Sequence, residues 1–200
     1  MRTARKVSDD GKAALAHALS LDGFIAGPGD DMGWVFDVDG GSGQTADEVV
    51  RSTGALLVGR RTQDVEDRDQ PGFYGGSFRG PFFVLRHDPP AQPPVVKGVT
   101  GQFLDTGIEE AVARAKDAAG GLDVVILGAN VARQCIEAGL VDEIIVHIAP
   151  FLLGAGVRFF ERRDGAPIRL RTLSSRREGE TMVLRYAVDG PTRPTTGQRA

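Results

Sequence analysis

The sequence predicts an α/β fold: a mostly parallel central sheet of about eight strands, flanked by helices and closed at one edge by an antiparallel C-terminal hairpin. Three observations predict it. An apolar run at 122–127 ends in Gly128-Ala129-Asn130, a short helical pattern follows, and a second apolar run begins after Gly139. A strand–helix–strand unit this compact needs parallel strands joined by a right-handed crossover. The runs at 55–58, 82–85 and 123–127 are continuously apolar, as in strands covered on both faces. The last two segments, 168–174 and 181–188, instead read as an antiparallel pair, with Met182, Leu184 and Tyr186 on one side and Val183, Arg185 and Ala187 on the other.

Taken in order, residues 1–12 are polar and form a loose lead-in, and 13–21 form the first strand, with His17 as a strand residue. A helix starts near Thr45, whose spacing to Glu48 is that of a capping box. Strands follow at 55–58, 82–85 and 101–104. A second capping-box pair, Thr106 and Glu109, opens a helix whose Ile108, Val112, Ala115 and Ala119 share one face and which Gly120-Gly121 ends. The strand at 123–127 leads to a helix at 131–138 that stops at Gly139, then to a strand at 143–148 in which His147 reads as a satisfied buried histidine. Residues 189–200 carry two prolines and no apolar run, the composition of a disordered tail. One domain spans 13–188, with no internal repeat or long linker.

Composition narrows the function. The chain has 200 residues, 41% hydrophobic and 26% charged, in the range of a soluble globular domain with a full core. A net charge of −3 gives no general attraction to nucleic acid or anionic membranes. The single cysteine, Cys135, excludes an internal disulfide and a thiolate zinc site, and its place beside Val131, Ile136 and Leu140 suits a core thiol. No apolar stretch reaches the length of a membrane span or a signal-peptide core, so a cytoplasmic location is expected.

Candidate binding chemistry gathers at strand ends. Gly59-Arg60-Arg61-Thr62 follows one buried strand, Gly128-Ala129-Asn130-Val131 another, and Leu85-Arg86-His87 a third. Carboxyl ends of parallel strands are where open α/β sheets bind ligands, and a helix start after a glycine turn offers backbone N–H groups to phosphate. Guanidinium groups suit the 2′-phosphate of NADPH. For any one arginine alone a solvated loop residue is the better reading; the shared polarity of three strand ends favours a site. Neither turn matches G-x-G-x-x-G, so a strict Rossmann fold is not expected.

Several motifs in one order resemble the dihydrofolate reductase-like superfamily, in particular its riboflavin-biosynthesis reductase branch. They are Ser20-Leu21-Asp22-Gly23-Phe24-Ile25-Ala26-Gly27, Trp34, Val58-Gly59-Arg60-Arg61-Thr62, Leu140-Val141-Asp142-Glu143, and Pro150 with Gly154 and Gly156. The resemblance covers roughly 14–188 and implies a three-layer fold with NADPH lying across the strand ends. It implies that Ser20, Ile25 and Ala26 border the nicotinamide. Gly59, Arg60, Arg61 and Thr62 would hold the pyrophosphate and 2′-phosphate region, Leu85, Arg86 and His87 would complete the adenosine pocket, and Gly128, Ala129, Asn130 and Val131 would give backbone donors to the pyrophosphate. A homodimer is implied as well, with the final strands at its interface.

Dihydrofolate reductases carry a carboxylate on the first helix and a threonine on a neighbouring strand; counting along this chain puts Gly43 or Gln44, and Val146 or His147, at those places. Reduction of dihydrofolate is therefore not expected. Deamination is excluded, because one cysteine cannot build the zinc site it needs. Asp22, Trp34 and Tyr74 remain as candidate catalytic-site residues. Asp22 orients substrate or stabilises a turn, Trp34 roofs a planar ring or fills the core, and Tyr74, in the mobile-looking loop Gly72-Phe73-Tyr74-Gly75-Gly76, covers substrate and donates a proton. Asp30, Asp31, Asp37 and Asp39 crowd Trp34 as general-acid candidates or a solvated acidic loop; no metal site is assigned. The expected activity is an NADPH-dependent reductase acting on a small planar heterocycle, imine or carbonyl compound. The alternative is an NADP-binding regulatory module without activity.

Overall fold

The computed structural model describes residues 11–37, 43–69, 72–162 and 167–189. Most of the expected lead-in and tail, together with Asp39, lies outside them. In chain order the elements are β1 (Ala13–Ser20), β2 (Phe24–Ala26), α1 (Gln44–Ser52), β3 (Thr53–Gly59), α2 (Arg60–Asp69), β4 (Phe82–Leu85), β5 (Val95–Val96), β6 (Val99–Thr100), β7 (Gln102–Leu104), α3 (Ile108–Ala119), β8 (Asp123–Leu127), α4 (Ala129–Glu137), β9 (Glu143–Ala149), β10 (Val157–Arg158), β11 (Leu170–Glu178) and β12 (Thr181–Val188).

Eight strands form one sheet in the order β11-β12-β9-β1-β8-β3-β4-β7. The ladders from β9 to β7 are parallel, and β12 joins β9 and β11 antiparallel. This is the expected mixed sheet, and β1 separates the two strands of the β8–α4–β9 unit.

The strand alternation explains the continuous apolar runs. Leu15, Leu57, Phe83, Val124, Ile126 and Ile144 face one layer with Ala111, Ala115, Ala132 and Cys135 of α3 and α4. Leu56, Val58, Phe82, Val84, Val125 and Ile145 face the other, with Val49 of α1 and Phe73 and Phe78 of the loop before β4. A period of two with both faces covered leaves few positions for polar residues. Cys135 is fully buried, and burial, aided by nearby Glu109, pushes its thiol up to about 12.

Neither expected capping box forms. Gly43 and Gly107 are the N-caps of α1 and α3, with no side-chain cap bond. Thr45 lies inside α1, where Glu178 of the distant hairpin accepts from its N–H at 3.1 Å. Thr106 donates instead to the Gly107 carbonyl. Gly120 does end α3, in the left-handed conformation at φ +61°. The loop at 72–76 is anchored rather than free: Phe73 is buried and meets Phe82 edge-on with ring centroids 5.2 Å apart. β11 also extends beyond the expected 174, because Arg176 and Glu178 hold a polar continuation that alternation does not reveal. Among the described residues, no helix is long and apolar enough to cross a membrane.

Candidate active site

The β1–β8 ladder ends at Leu15↔Ile126, while β1 stays paired with β9 as far as Ser20↔Ala149. The strands part there, and a cleft of about 2450 Å³ opens along the carboxyl ends of the sheet. Drug-sized sites measure roughly 300–1,000 Å³, so this space suits an extended ligand with a second molecule beside it. Strand ends at Gly59, Leu85 and Leu127 border it, as do His147 and the β11–β12 turn at Glu178 and Thr181.

The cleft gathers all the sequence-predicted site residues except Ser20 and Asp22. Ile25 and Ala26 of β2, Trp34 and Tyr74 line it, with Gly59, Arg60, Arg61, Thr62, Leu85, Arg86, His87, Gly128, Ala129, Asn130 and Val131. Two glycines permit close approach. A Cβ on Gly128, whose φ is +91°, would meet Thr62 Oγ1 at 2.6 Å, and one on Gly59 would meet Val131 Cγ2 at 3.1 Å.

The basic residues are not equivalent. Arg61 pairs with Asp30, its Nε lying 3.3 Å from Oδ2, and Arg68 reaches the Gly29 and Asp30 carbonyls at 3.3 Å. Asp30 itself takes a left-handed φ of +61°. Arg60 is exposed, with Asp64 at 3.7 Å. Arg86 stacks 5.4 Å from the Phe103 ring, and its buried Nε has no partner among the described residues. His87 is exposed, with Nδ1 3.0 Å from Asp105. Arg60 and Arg61 thus both reach solvent at this rim, Arg60 with the Asp64 carboxylate beside it and Arg61 with its fork engaged by Asp30.

Asp22 has a different task. Its carboxylate accepts from Ser20 Oγ at 2.6 Å and from the backbone N–H groups of Leu153 and Gly154 at 3.1 and 2.7 Å. These bonds, that of Ser20 above all, hold its pKa down at about 2 against a weaker opposing effect of desolvation. Ser20 is buried, and its Oγ accepts from the Phe24 N–H at 3.0 Å. Both residues thus tie the 150–154 loop to the β1–β2 turn.

Trp34 is buried against Phe151, with ring centroids 5.9 Å apart, and its Nε1 has no partner among the described residues. Tyr74 has φ +54°, between glycines of positive φ, and a buried hydroxyl without a partner there. Burial pushes its pKa well above the usual tyrosine value, so the phenol stays protonated at neutral pH. Asp31 accepts from Gly33 N–H at 2.9 Å and shapes the loop before Trp34. Among the described residues, no group of three or more His, Cys, Asp or Glu is placed to hold a metal ion.

Residues 12–184 match the family description RibD C-terminal domain. The chain belongs to the RibD C-terminal domain family. It is 23% identical over 180 residues to the uncharacterized protein YwjB of Bacillus subtilis, covering 88% of this chain and 97% of that one. A crystal structure from Shewanella sp. PV-4, of a protein whose name assigns it provisionally to riboflavin biosynthesis, superposes with a TM-score of 0.74 at 21% identity, over 89% and 99% of the two chains. Dihydrofolate reductase from Enterococcus faecalis, solved with NADP(H), superposes with a TM-score of 0.58 at 18% identity, over 90% and 98%. The fold is that of dihydrofolate reductase, as the motifs imply.

Within this RibD C-terminal domain, sequence reasoning missed five residues that line the cleft. Asp47 brings an exposed carboxylate from α1, one turn beyond the counted Gly43 and Gln44. Thr181 brings a threonine from β12, beside the strand where one was sought. His147 is half-buried at the cleft rather than enclosed in the core. Burial and Arg176 lower its pKa against the pull of Glu178, leaving a neutral ring at pH 7. Glu178 stands beside it. His17, the fifth, bonds to the Gly128 turn. Its signal was available: a histidine in the row Ala13, Leu15, Leu19, whose other members are all core.

Proposed function

We propose that the chain is an NADPH-dependent reductase that transfers a hydride to a small planar heterocyclic, imine or carbonyl substrate, related to the reductases of riboflavin biosynthesis. The observation that carries this reading is the convergence on one cleft of the Gly59–Thr62 and Gly128–Val131 turns with Arg60, Arg61 and Arg86. That rim combines helix-start N–H groups with guanidinium forks, the donor set a dinucleotide's anionic groups require. The unpartnered buried atoms of Trp34, Tyr74 and Arg86 fit a ligand that completes their bonding. The residues present therefore suit NADPH, and the fold is shared with an NADP(H)-bound dihydrofolate reductase.

When bound, the reduced nicotinamide supplies the hydride. The chain's own residues orient the two reactants and exclude water. Trp34 and Ile25 wall the substrate end, where Asp47, His147 and Thr181 bring polar groups. Tyr74, protonated and buried, holds a proton at its Oη near the same space. A homodimer in the cytoplasm, free of nucleic acid and membrane, completes the reading.

The test uses the single tryptophan as a probe. NADPH should quench Trp34 fluorescence and bind more tightly than NADH. A panel of heterocycles, imines and carbonyl compounds should contain one that drives NADPH oxidation. Equal affinity for the two cofactors contradicts the phosphate pocket; tight binding with no turnover across the panel favours a regulatory module.

A further inference from the structure

Where β1 and β8 part, a side chain takes over from the ladder. The next residues past Leu15↔Ile126 on the same face are His17 and Gly128. The Gly128 N–H donates to His17 Nε2 at 3.0 Å. An accepting Nε2 places the proton of a neutral imidazole on Nδ1. The ring is 9% exposed, lies 5.2 Å from the ring of Phe159 and lines the cleft. Its Nδ1 is buried without a partner among the described residues, a donor that a ligand acceptor would satisfy.

Gly128 is the N-cap of α4 and has no side-chain cap bond. Its carbonyl accepts from Ala132 N–H at 3.0 Å. Both of its backbone polar groups are thus engaged, which removes Gly128 from the expected set of phosphate donors. The N–H groups of Ala129, Asn130 and Val131 have no partner inside the helix and remain for an anion. Their direction follows from how the glycine is held.

We infer that His17 is a positioning residue for this turn: through Nε2 it holds the Gly128 N–H and so aims the N–H groups of residues 129–131 at the pyrophosphate of a bound dinucleotide. The inference rests on the NADPH reading above. His17 touches the turn and acts on the ligand through it.

Two variants separate this role from simple packing. His17→Leu removes the acceptor, while His17→Gln returns one, because its Oε1 can occupy the place of Nε2. By Trp34 fluorescence, the Leu variant should raise the Kd for NADPH about tenfold or more, and the Gln variant less than about threefold. Inorganic pyrophosphate, used as a second probe, should follow the same order. A packing role lowers the melting temperature and leaves the Kd of the folded protein unchanged.

A ligand-free measurement stands beside these. Nitrogen-15 spectra of the wild-type chain should show the Nδ1–H tautomer of His17 and a displaced Gly128 amide, the displacement lost in the Leu variant and restored in the Gln variant. An Nε2–H tautomer overturns the inference even if the Leu variant fails to fold. NADPH binding by wild type with equal Kd in both variants overturns this inference alone. Wild type that binds neither NADPH nor pyrophosphate overturns the reductase reading with it.

Discussion

Glu178 caps α1 from 133 residues away: its carboxylate lies 3.1 Å from the Thr45 N–H and 2.5 Å from the Thr45 hydroxyl. Although burial works against the charge, hydrogen bonds from Thr45 and Arg176 hold this carboxyl below the usual range. Arg176 extends the link to Glu48 at 3.2 Å. The C-terminal hairpin is thereby joined to the first helix at the rim of the cleft.

Replacing the cap is the simplest test of that link. Glu178→Gln should lower unfolding free energy by about 1 kcal/mol, the usual worth of an N-terminal cap. Urea denaturation of Glu178→Gln, Thr45→Val and the double variant should give a non-additive cycle, because both changes act on the hydroxyl–carboxylate bond between the two residues. Additive losses would separate the hairpin from α1.

The Asp22 latch predicts an acid response. Its pKa is lowered from 3.8 to about 2, so it contributes stability above pH 3.8 that is lost as pH falls through about 2. Hydrogen exchange at the Leu153 and Gly154 amides should accelerate in Asp22→Asn at neutral pH. In wild type the same amides should open only in strong acid. Unchanged exchange in the variant would release Asp22 from this role.

His17 predicts a response at milder pH. Burial lowers its pKa from 6.5 to about 4. Its neutral form supports folding fully above pH 6.5. As pH falls from there towards about 4, the unfolded chain takes up a proton that the folded chain refuses. The loss over that window is on the order of 3 kcal/mol. Subtracting the His17→Gln profile from that of wild type, both from urea melts, isolates this loss. A flat difference between pH 4 and 6.5 would contradict a buried neutral ring.

Arg60 and Arg61 should carry the preference for NADPH over NADH. Arg60→Ala should reduce the ratio of the two affinities by about tenfold, the effect of losing one charge-assisted phosphate contact. Asp30→Asn frees the fork of Arg61 and should tighten NADPH binding slightly while leaving NADH unchanged. A ratio unaffected by either change would place the 2′-phosphate elsewhere.

The hairpin predicts the assembly. β11 is the edge strand of the described sheet, with Leu170 and Leu173 39% and 45% exposed and Met182 of β12 41% exposed beside it, and an uncovered edge of this kind invites a partner. Light scattering should give the mass of a dimer, and Leu173→Lys should shift it towards monomer. A wild-type monomer at micromolar concentration would end that proposal.

The sheet was legible because its strands are covered on both faces. Burial forces runs such as Leu56-Leu57-Val58, and their lengths matched the strands within two or three residues. That the three strand ends border one cleft was legible for a related reason, since glycine or arginine directly follows each of these buried strands. What failed was non-local. Glu178, the partner of Thr45, and the Leu153 and Gly154 amides that Asp22 holds lie more than a hundred residues away, and no spacing rule reaches that far. Asp47 was missed because counting back from Gly59 ran one helical turn too far, to Gly43 and Gln44. His17 stood out as a histidine in a core row, but its role was missed because its partner is a backbone N–H, which residue type does not name.

Cys135 has a practical consequence for all these measurements. A thiol enclosed by the core, with an ionisation far above neutral pH, will not react with maleimide or iodoacetamide in the native protein. The chain is thus a ready background for labelling, without prior removal of its own sulfur. A cysteine introduced at exposed Phe36 or Leu152 would take a spin or fluorescent tag alone, and distances between such tags would report the width of the cleft with and without added nucleotide.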